Sequence, residues 1–301
     1  MLLSMASFII CQGKTKGIEE EEFLLVTSFY PMYVLAQNIT EGIHGVSVSN
    51  LTENQTGCLH DYQLTAKDMK LLSNADAFLI NGAGMEVFID KVVSQLEDIK
   101  VIEASHGISL LEGVEHDHAH AHEEETYEAH EHNQNGHVWM DMERYQMQIS
   151  TTVDKLKELL PQKVEALHMA GEKYQEAVQV ILDECSMLKQ ETKGLPVVIF
   201  HEAFAYLAEA LDMEVIAVLS LDEETMPSAS EIAEVIEEIN YHGSAFIFIE
   251  EEYASHADKI VAETSVEVSY LNPLVSGTGE IDSYLIGMEQ NLQRIRELVI
   301  K

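Results

Sequence analysis

Histidine and carboxylate side chains are concentrated in one short segment of this chain. Residues 116–137, HDHAHAHEEETYEAHEHNQNGH, contain seven of the 14 histidines together with six carboxylates. Neutral imidazoles and carboxylates both bind metal ions, and a segment with so few apolar residues cannot form a core of its own. The composition is compatible with a metal site, with a tether that collects metal ions, and with a solvated low-complexity loop. We call this segment the His-rich stretch.

Three histidines occupy comparable positions relative to the predicted strands. His201 directly follows the apolar run PVVIF, and His60 lies in the loop after the run VSVSNL. His137 closes the His-rich stretch, where the chain returns to an ordered pattern. Open α/β sheets bind ligands at the carboxyl ends of their strands. Any one of these histidines alone would usually be a surface or core residue, but the three could converge in one cleft.

The elements that must position these histidines form two similar series. Short β-branched or apolar runs alternate with helical patterns on both sides of the His-rich stretch, which is typical of parallel sheets covered by helices. Thr65 with Asp68, and Ser228 with Glu231, have the spacing of residue pairs that cap the start of a helix. Strands are predicted at residues 23–29, 46–51, 77–81, 101–105, 196–200, 214–219, 245–250 and 267–272. The predicted fold is therefore α/β, with two Rossmann-like lobes built on parallel sheets.

A long helical stretch separates the two series of strands. It runs from about residue 141 to 193 and is interrupted at Pro161. After the proline, apolar residues recur every three or four positions over about 30 residues, or about 45 Å of helix, so this segment can act as a rigid spine between the lobes. The predicted division is a signal remnant and tether (1–22), an N-terminal lobe that carries the His-rich loop 116–136 (23–140), a helical connector (141–194) and a C-terminal lobe (195–301).

The charge balance limits the classes of partner. The chain has 17 basic and 53 acidic residues, a formal net charge of −36. Such a chain is repelled by phosphate backbones and by anionic membrane surfaces. We therefore expect no nucleic-acid partner, and we expect a monomer.

The N-terminal residues suggest export. Residues 2–11, LLSMASFIIC, form an apolar run that is too short to span a bilayer, which needs about 20 residues. The run fits the apolar region of a signal peptide followed by a polar tether. Cys11 could be the lipidated cysteine of a lipoprotein, although Ile10 is larger than such cleavage sites prefer. The alternative is a buried N-terminal strand.

Four local sequences resemble motifs of one protein family, the metal-binding solute-binding proteins of bacterial ABC transporters, which include zinc- and manganese-specific receptors. The matching segments are HDYQLTAKDMKLLSNADAFLINGAGME, GHVWMD, VIFHEAFAYLAEALDME and MPSASEIAEVIEEI, and they occur in the family's order. The similarity runs from about residue 23 to the C terminus. It implies two α/β lobes bridged by one long helix, with a metal site in the cleft between the lobes.

The resemblance also implies the metal ligands. Carried over position by position, they are His60, His137 and His201. Manganese-type relatives typically have glutamate at the position of His201, and imidazole nitrogen suits Zn²⁺ better than Mn²⁺. The implied ion is therefore Zn²⁺, about 2.0–2.1 Å from three imidazoles, with a fourth ligand that completes a tetrahedron.

The fourth ligand follows the family pattern less closely. Relatives often carry a carboxylate in the last loop, but this chain has Asn272 at that position, and asparagine is a poor zinc ligand. Glu280 or Asp282 could reach the metal from the same loop, and a water molecule is a further alternative. We expect Glu280 to be the fourth ligand.

The resemblance implies a function outside the cytoplasm. The protein is expected to capture Zn²⁺ and deliver it to the permease subunit of an ABC-type transporter, either as a membrane-anchored lipoprotein or in the periplasm. It is not expected to be an enzyme. One alternative is a zinc hydrolase in which Glu202 acts as base on a metal-activated water, although the chain has no HExxH signature. The other is an adhesin or metal-storage protein on the same scaffold.

The same resemblance gives an interpretation of the His-rich stretch. Zinc-specific relatives often carry a His- and acid-rich loop at this position. Histidines with nearby carboxylates should provide several weak, exchangeable sites beside the tight one. We therefore predict a collecting or sensing loop, and the alternative is a dispensable solvated insert.

Overall fold

The computed structural model describes residues 22–52, 59, 62–96, 98–113, 134–219, 227–243 and 245–300. Within these ranges the chain forms two four-stranded sheets, and every strand pair in them is parallel. The two sheets have the same topology, because in each the first strand lies between the second and the third. The structure confirms the predicted α/β fold with two lobes.

The N-terminal lobe contains the first sheet, in the order β2-β1-β3-β4. Its elements are β1 (Phe23–Thr27), α1 (Tyr30–Thr40), β2 (Val46–Asn50), α2 (Ala66–Leu72), β3 (Ala77–Ile80), α3 (Ile89–Gln95) and β4 (Lys100–Glu103). Helix α2 begins with the predicted N-terminal cap. The Thr65 side chain accepts from the N–H of Asp68, and the Asp68 carboxylate accepts from the N–H of Thr65. This pair satisfies two donors that the first turn leaves without partners.

The C-terminal lobe repeats this arrangement, with the strand order β6-β5-β7-β8. Its elements are β5 (Pro196–Ile199), α6 (Ala203–Ala210), β6 (Glu214–Val218), α7 (Ala229–His242), β7 (Phe246–Ile249), α8 (Ala254–Glu263), β8 (Glu267–Tyr270) and α9 (Ser283–Val299). Helix α7 begins with the predicted capping box of Ser228 and Glu231. Its C-terminal cap is Gly243, whose φ of +79° is left-handed and favours glycine.

Two helices connect the lobes in sequence. They are α4 (Met142–Leu159) and α5 (Val164–Thr192), and a 3₁₀ turn at Pro161–Lys163 separates them where the proline predicted an interruption. The buried face of α5 is the predicted apolar stripe, which includes Leu167, Gly171, Tyr174, Val178, Ile181, Cys185 and Leu188. At Gly171 a Cβ atom would lie 2.8 Å from Val153 of α4, so glycine allows the two helices to pack closely.

One hydrophobic core is shared by both lobes. The same cluster of buried side chains includes Leu25 of β1, Ile149 of α4, Val178 of α5, Val197 of β5 and Leu292 of α9. The connector helices are therefore packed into both lobes, which supports their role as a spine. The exact lobe boundaries remain a prediction. Among the described helices, none has both the length and the apolar content that a bilayer crossing requires.

The observed strands end one or two residues before the predicted ends. Strand β5 ends at Ile199 where residues 196–200 were predicted, and β7 ends at Ile249 where residues 245–250 were predicted. The residues just beyond β5 and β7 are no longer part of the sheet. His201 and Glu250 of the candidate site are among them.

Candidate metal centre

His201 and Glu250 meet at the carboxyl edge of the second sheet. Strands β5 and β7 are parallel neighbours with Ile199 opposite Phe248, so the same register places His201 opposite Glu250 two residues further on. The Nδ1 atom of His201 lies 2.7 Å from Oε1 of Glu250. In this sheet β6 lies on one side of β5 and β7 lies on the other, so the strand order reverses between β5 and β7. The carboxyl end of the sheet at such a switch point is where open α/β sheets bind ligands.

The Glu250 contact determines which nitrogen of His201 carries a proton. An ionised carboxylate can only accept hydrogen bonds, so Nδ1 of His201 donates to it. Nε2 is then the nitrogen with the lone pair that a metal ion requires. Both side chains are largely shielded from solvent, with 20% of His201 and 16% of Glu250 exposed, and the ring of Phe204 packs edge-on against His201.

His137 is oriented in a similar way by Asn135. The Oδ1 atom of Asn135 accepts from the backbone N–H of His137 at 3.0 Å and lies 2.9 Å from its Nδ1. The Nδ2 group of Asn135 donates to the carbonyl of Glu202, which fixes the orientation of the amide. Nδ1 of His137 must therefore be the donor to Oδ1, and Nε2 is again the atom that could bind a metal.

A buried polar network holds the segment before His137 against the N-terminal lobe. Asn81, which follows β3, donates from Nδ2 to the carbonyl of Gly136. Gln148 of α4 donates from Nε2 to Oδ1 of Asn81 and to the hydroxyl of Ser105. Asn81, Ser105 and Gln148 are buried and joined by these hydrogen bonds, which hold the segment in one position. Among the described residues, Oε1 of Gln148 has no hydrogen-bond partner.

The segment after His137 is held from the other side. Trp139 lies in a 3₁₀ turn (Val138–Met140), and its indole N–H donates to the carbonyl of Pro273. Its own carbonyl accepts from the hydroxyl of Tyr284 on α9. His137 is thus fixed by contacts to both lobes, and only 2% of it is exposed.

The two imidazoles are close enough to share one ion. The ring centroids of His137 and His201 are 4.9 Å apart, and the ring planes cross at 85°. A zinc ion about 2.05 Å from Nε2 lies about 3.2 Å from the centroid of that ring. Two imidazoles that bind one tetrahedrally coordinated zinc ion therefore have ring centroids about 5.2 Å apart. The observed separation fits two ligands of one metal ion.

The structure does not test His60 as a ligand, and it does not group Glu280 with the histidine pair. His60 lies outside the described residues. Glu280 is exposed in the loop before α9, where its backbone N–H donates to Thr278 and its carbonyl accepts from Ser283. Within the described ranges, no three His, Cys, Asp or Glu side chains are grouped as a metal would require. The full ligand set of His60, His137, His201 and Glu280 therefore remains a prediction.

The loop that contains Glu280 packs on α1. The hydroxyl of Tyr30 donates to Ser283, and Nδ2 of Asn38 donates to the carbonyl of Ile281. Asn272 occupies the position at which relatives often carry a carboxylate. Its Oδ1 atom accepts from the backbone N–H of Leu274 within the same loop.

The chain segments on either side of residues 114–133 meet beside the histidine pair. Glu112 and Gln134 form an antiparallel bridge, and the N–H of Asn135 donates to the carbonyl of Leu111. Residues 114–133 lie outside the described residues, so the predicted collecting loop is not tested. A cavity of about 330 Å³ adjoins the bridge, and Asn135 and Glu202 contribute to its walls.

The first sheet has a buried carboxylate at its own switch point. Glu86 accepts from the hydroxyl of Ser28 and from the backbone N–H groups of Asn81 and Gly82. Burial raises the pKa of Glu86 to about 7, although these donors act in the opposite direction. The carboxylate joins the ends of β1 and β3 to the network that supports His137.

Sequence reasoning identified the histidine pair but missed its partners. Glu250 was the last residue of a predicted strand, and Asn135 stands two residues before His137. A polar residue at the carboxyl end of the neighbouring strand was the available signal for Glu250. Asn135 carried no comparable signal.

Several known proteins resemble this chain. It is 26% identical to the zinc-binding protein AdcA of Streptococcus pyogenes over 98% of its length, but it spans only 58% of that relative. It is 27% identical to the high-affinity zinc uptake system protein ZnuA of Bacillus subtilis, covering 96% of this chain and 92% of that one.

Solved structures show the same fold. Zn(II)-bound AdcA of Streptococcus pneumoniae has a TM-score of 0.74 and 27% identity, over 93% of this chain and 58% of that one. The solute-binding protein FpvC of Pseudomonas aeruginosa in complex with Ni²⁺ has a TM-score of 0.76 and 21% identity, over 92% and 97% of the two chains.

A family model covers nearly the whole described chain. Residues 25–298 match the model described as the periplasmic zinc-uptake complex component A. The match contains both sheets, the connector helices and the histidine pair. The resemblance inferred from the motifs is thereby confirmed: the chain belongs to the family of periplasmic zinc-uptake complex components A.

Proposed function

We propose that this protein captures Zn²⁺ outside the cytoplasm and delivers it to the permease subunit of an ABC-type transporter for zinc uptake. The observation that carries the proposal is the pair of imidazoles at the switch point, whose ring centroids lie 4.9 Å apart and whose Nδ1 atoms both have a hydrogen-bond partner. Relatives over almost the full length of this chain are named as zinc-binding or zinc-uptake proteins, which supports the same conclusion.

The proposed zinc ligands are His60, His137, His201 and Glu280. Three nitrogens favour Zn²⁺ over Mn²⁺, which prefers oxygen-rich sites. The fold alone does not select the ion, since FpvC structures contain Ni²⁺ or Mn²⁺. We therefore assign selectivity to the histidine side chains.

The proposed location is extracytoplasmic, either as a lipoprotein anchored through Cys11 or as a periplasmic protein. Relatives named zinc-binding lipoprotein support the first form. Residues 1–21 lie outside the described residues, so this choice rests on the sequence. A hydrolase is not proposed, because a receptor function accounts for the same histidines. The adhesin alternative remains a separate prediction.

Competition titration tests the proposal. Zinc is titrated into the metal-free protein in the presence of a chromogenic chelator, and the titration is repeated with excess Mn²⁺. We expect one tight zinc site that Mn²⁺ does not displace. The variants His137→Ala and His201→Ala should each lose tight binding, whereas His168→Ala, which changes an exposed histidine on α5, should retain it. Comparable Mn²⁺ affinity, or tight binding in His201→Ala, would contradict the proposal.

A further inference from the structure

We propose that Glu250 is a positioning residue for His201, and that it sets how tightly the zinc ion is held. The inference rests on the proposed function. It concerns a residue that does not touch the metal, because its carboxylate is bonded to Nδ1 of His201, the nitrogen opposite the proposed metal-binding atom.

The fold places Glu250 independently of His201. Its backbone continues β7, where the carbonyl of Ile249 accepts from the N–H of Leu271 beyond β8. Its own carbonyl accepts from the N–H of Tyr253 and so begins the 3₁₀ turn that follows. The register of β5 and β7 then directs the Glu250 carboxylate to the imidazole. The pair is therefore built by the pairing of the two strands.

The chemistry of this pair differs from that of the other imidazole. His137 donates to a neutral amide, Asn135, whereas His201 donates to a carboxylate. A carboxylate partner orients a ligating imidazole and makes its Nε2 more basic, and loss of such a partner typically weakens metal binding 10–100-fold. One zinc ligand is thus strengthened by a negative charge that a neutral partner would not supply.

Two substitutions separate orientation from charge. Glu250→Ala removes both the acceptor and the charge, so zinc affinity should fall by about 10–100-fold. Glu250→Gln keeps an oxygen acceptor without the charge, so its loss should be smaller than that of Glu250→Ala. Glu251→Ala removes the same charge from the next, exposed residue and serves as the matched control. Its affinity should stay within about twofold of the unchanged protein, because a solvent-exposed charge interacts weakly.

A spectroscopic measurement on the metal-free protein makes the test independent of zinc. Nitrogen-15 NMR of the His201 ring reports which nitrogen carries the proton. We expect the Nδ1–H form in the unchanged protein and in Glu250→Gln, and a shift toward the Nε2–H form in Glu250→Ala. Circular dichroism and thermal unfolding establish that each variant is folded.

The outcomes are distinguishable. An unchanged ring tautomer in folded Glu250→Ala, or an affinity equal to that of Glu251→Ala, would overturn the role of Glu250. Absence of tight zinc binding by the unchanged protein would overturn the proposed function instead, while the tautomer measurement would still decide whether Glu250 orients His201.

Discussion

Asn135 is not a proposed metal ligand, but it connects the histidine pair to both lobes. Its replacement should therefore lower both the free energy of unfolding and the zinc affinity. Asn135→Ala removes the acceptor for the backbone N–H and for Nδ1 of His137, and it removes the donor to the carbonyl of Glu202. Asn135 is only 2% exposed. Each buried group left without a partner costs about 1–3 kcal/mol. The N–H and Nδ1 of His137 are buried, whereas the carbonyl of Glu202 is only partly buried. Two buried groups imply a loss of about 2–6 kcal/mol, and we expect about 3 kcal/mol.

Two assays check this prediction. Urea unfolding of the metal-free protein gives the free energy of unfolding, and competition titration gives the zinc affinity. We expect the unfolding free energy to fall by about 3 kcal/mol and the affinity to fall 10–100-fold, because His137 loses the group that orients it. Gln134→Ala, at the exposed neighbouring residue, is the matched control and should change neither quantity appreciably. A loss below about 1 kcal/mol together with unchanged affinity would refute the reasoning.

Three further predictions concern other parts of the chain. Deletion of residues 116–132 should leave the tight site intact and reduce the number of weakly bound zinc ions measured by calorimetry; loss of the tight site would mean that the stretch supplies a ligand. Arg144→Met should lower the free energy of unfolding by about 1–2 kcal/mol, because this side chain makes exposed hydrogen bonds to the carbonyl of Ser109 in one lobe and to the carboxylate of Glu209 in the other; an unchanged free energy of unfolding in urea would argue against an interlobe contact in solution. The pKa of Glu86 is raised from 4.5 to about 7, so its contribution to stability is full below pH 4.5 and is lost as the pH rises through 7. Relative to Glu86→Gln, the protein should lose about 3 kcal/mol over that interval, and a flat difference between the two unfolding profiles would contradict this.

The strands and helix caps were predictable because their signals are local. Alternating β-branched runs predicted both sheets, and the Thr65 and Ser228 capping boxes are formed as predicted. The position of His201 was predictable for the same reason, since the end of an apolar run and the end of a parallel strand nearly coincide. The general rule that ligands bind at strand ends only allowed for its proximity to His137, and the family resemblance implied that the two residues share a site.

The partners of the histidines depend on contacts between distant segments. Glu250 meets His201 only because β5 and β7 pair in one particular register, and 49 residues separate the two side chains in the sequence. Asn135 is oriented by Glu202, 67 residues away. The direction of the Glu280 side chain depends on how its loop packs against α1, which periodicity does not encode. No local pattern therefore determines these features.

The central claim is that His137 and His201 bind one zinc ion through their Nε2 atoms. A crystal structure of the zinc-loaded protein, with anomalous diffraction measured on both sides of the zinc absorption edge, tests it most directly. The account predicts one strong anomalous peak about 2.0–2.1 Å from both Nε2 atoms, with His60 and a fourth ligand completing the tetrahedron. A fully occupied zinc ion located elsewhere, with this pair unliganded, would contradict it.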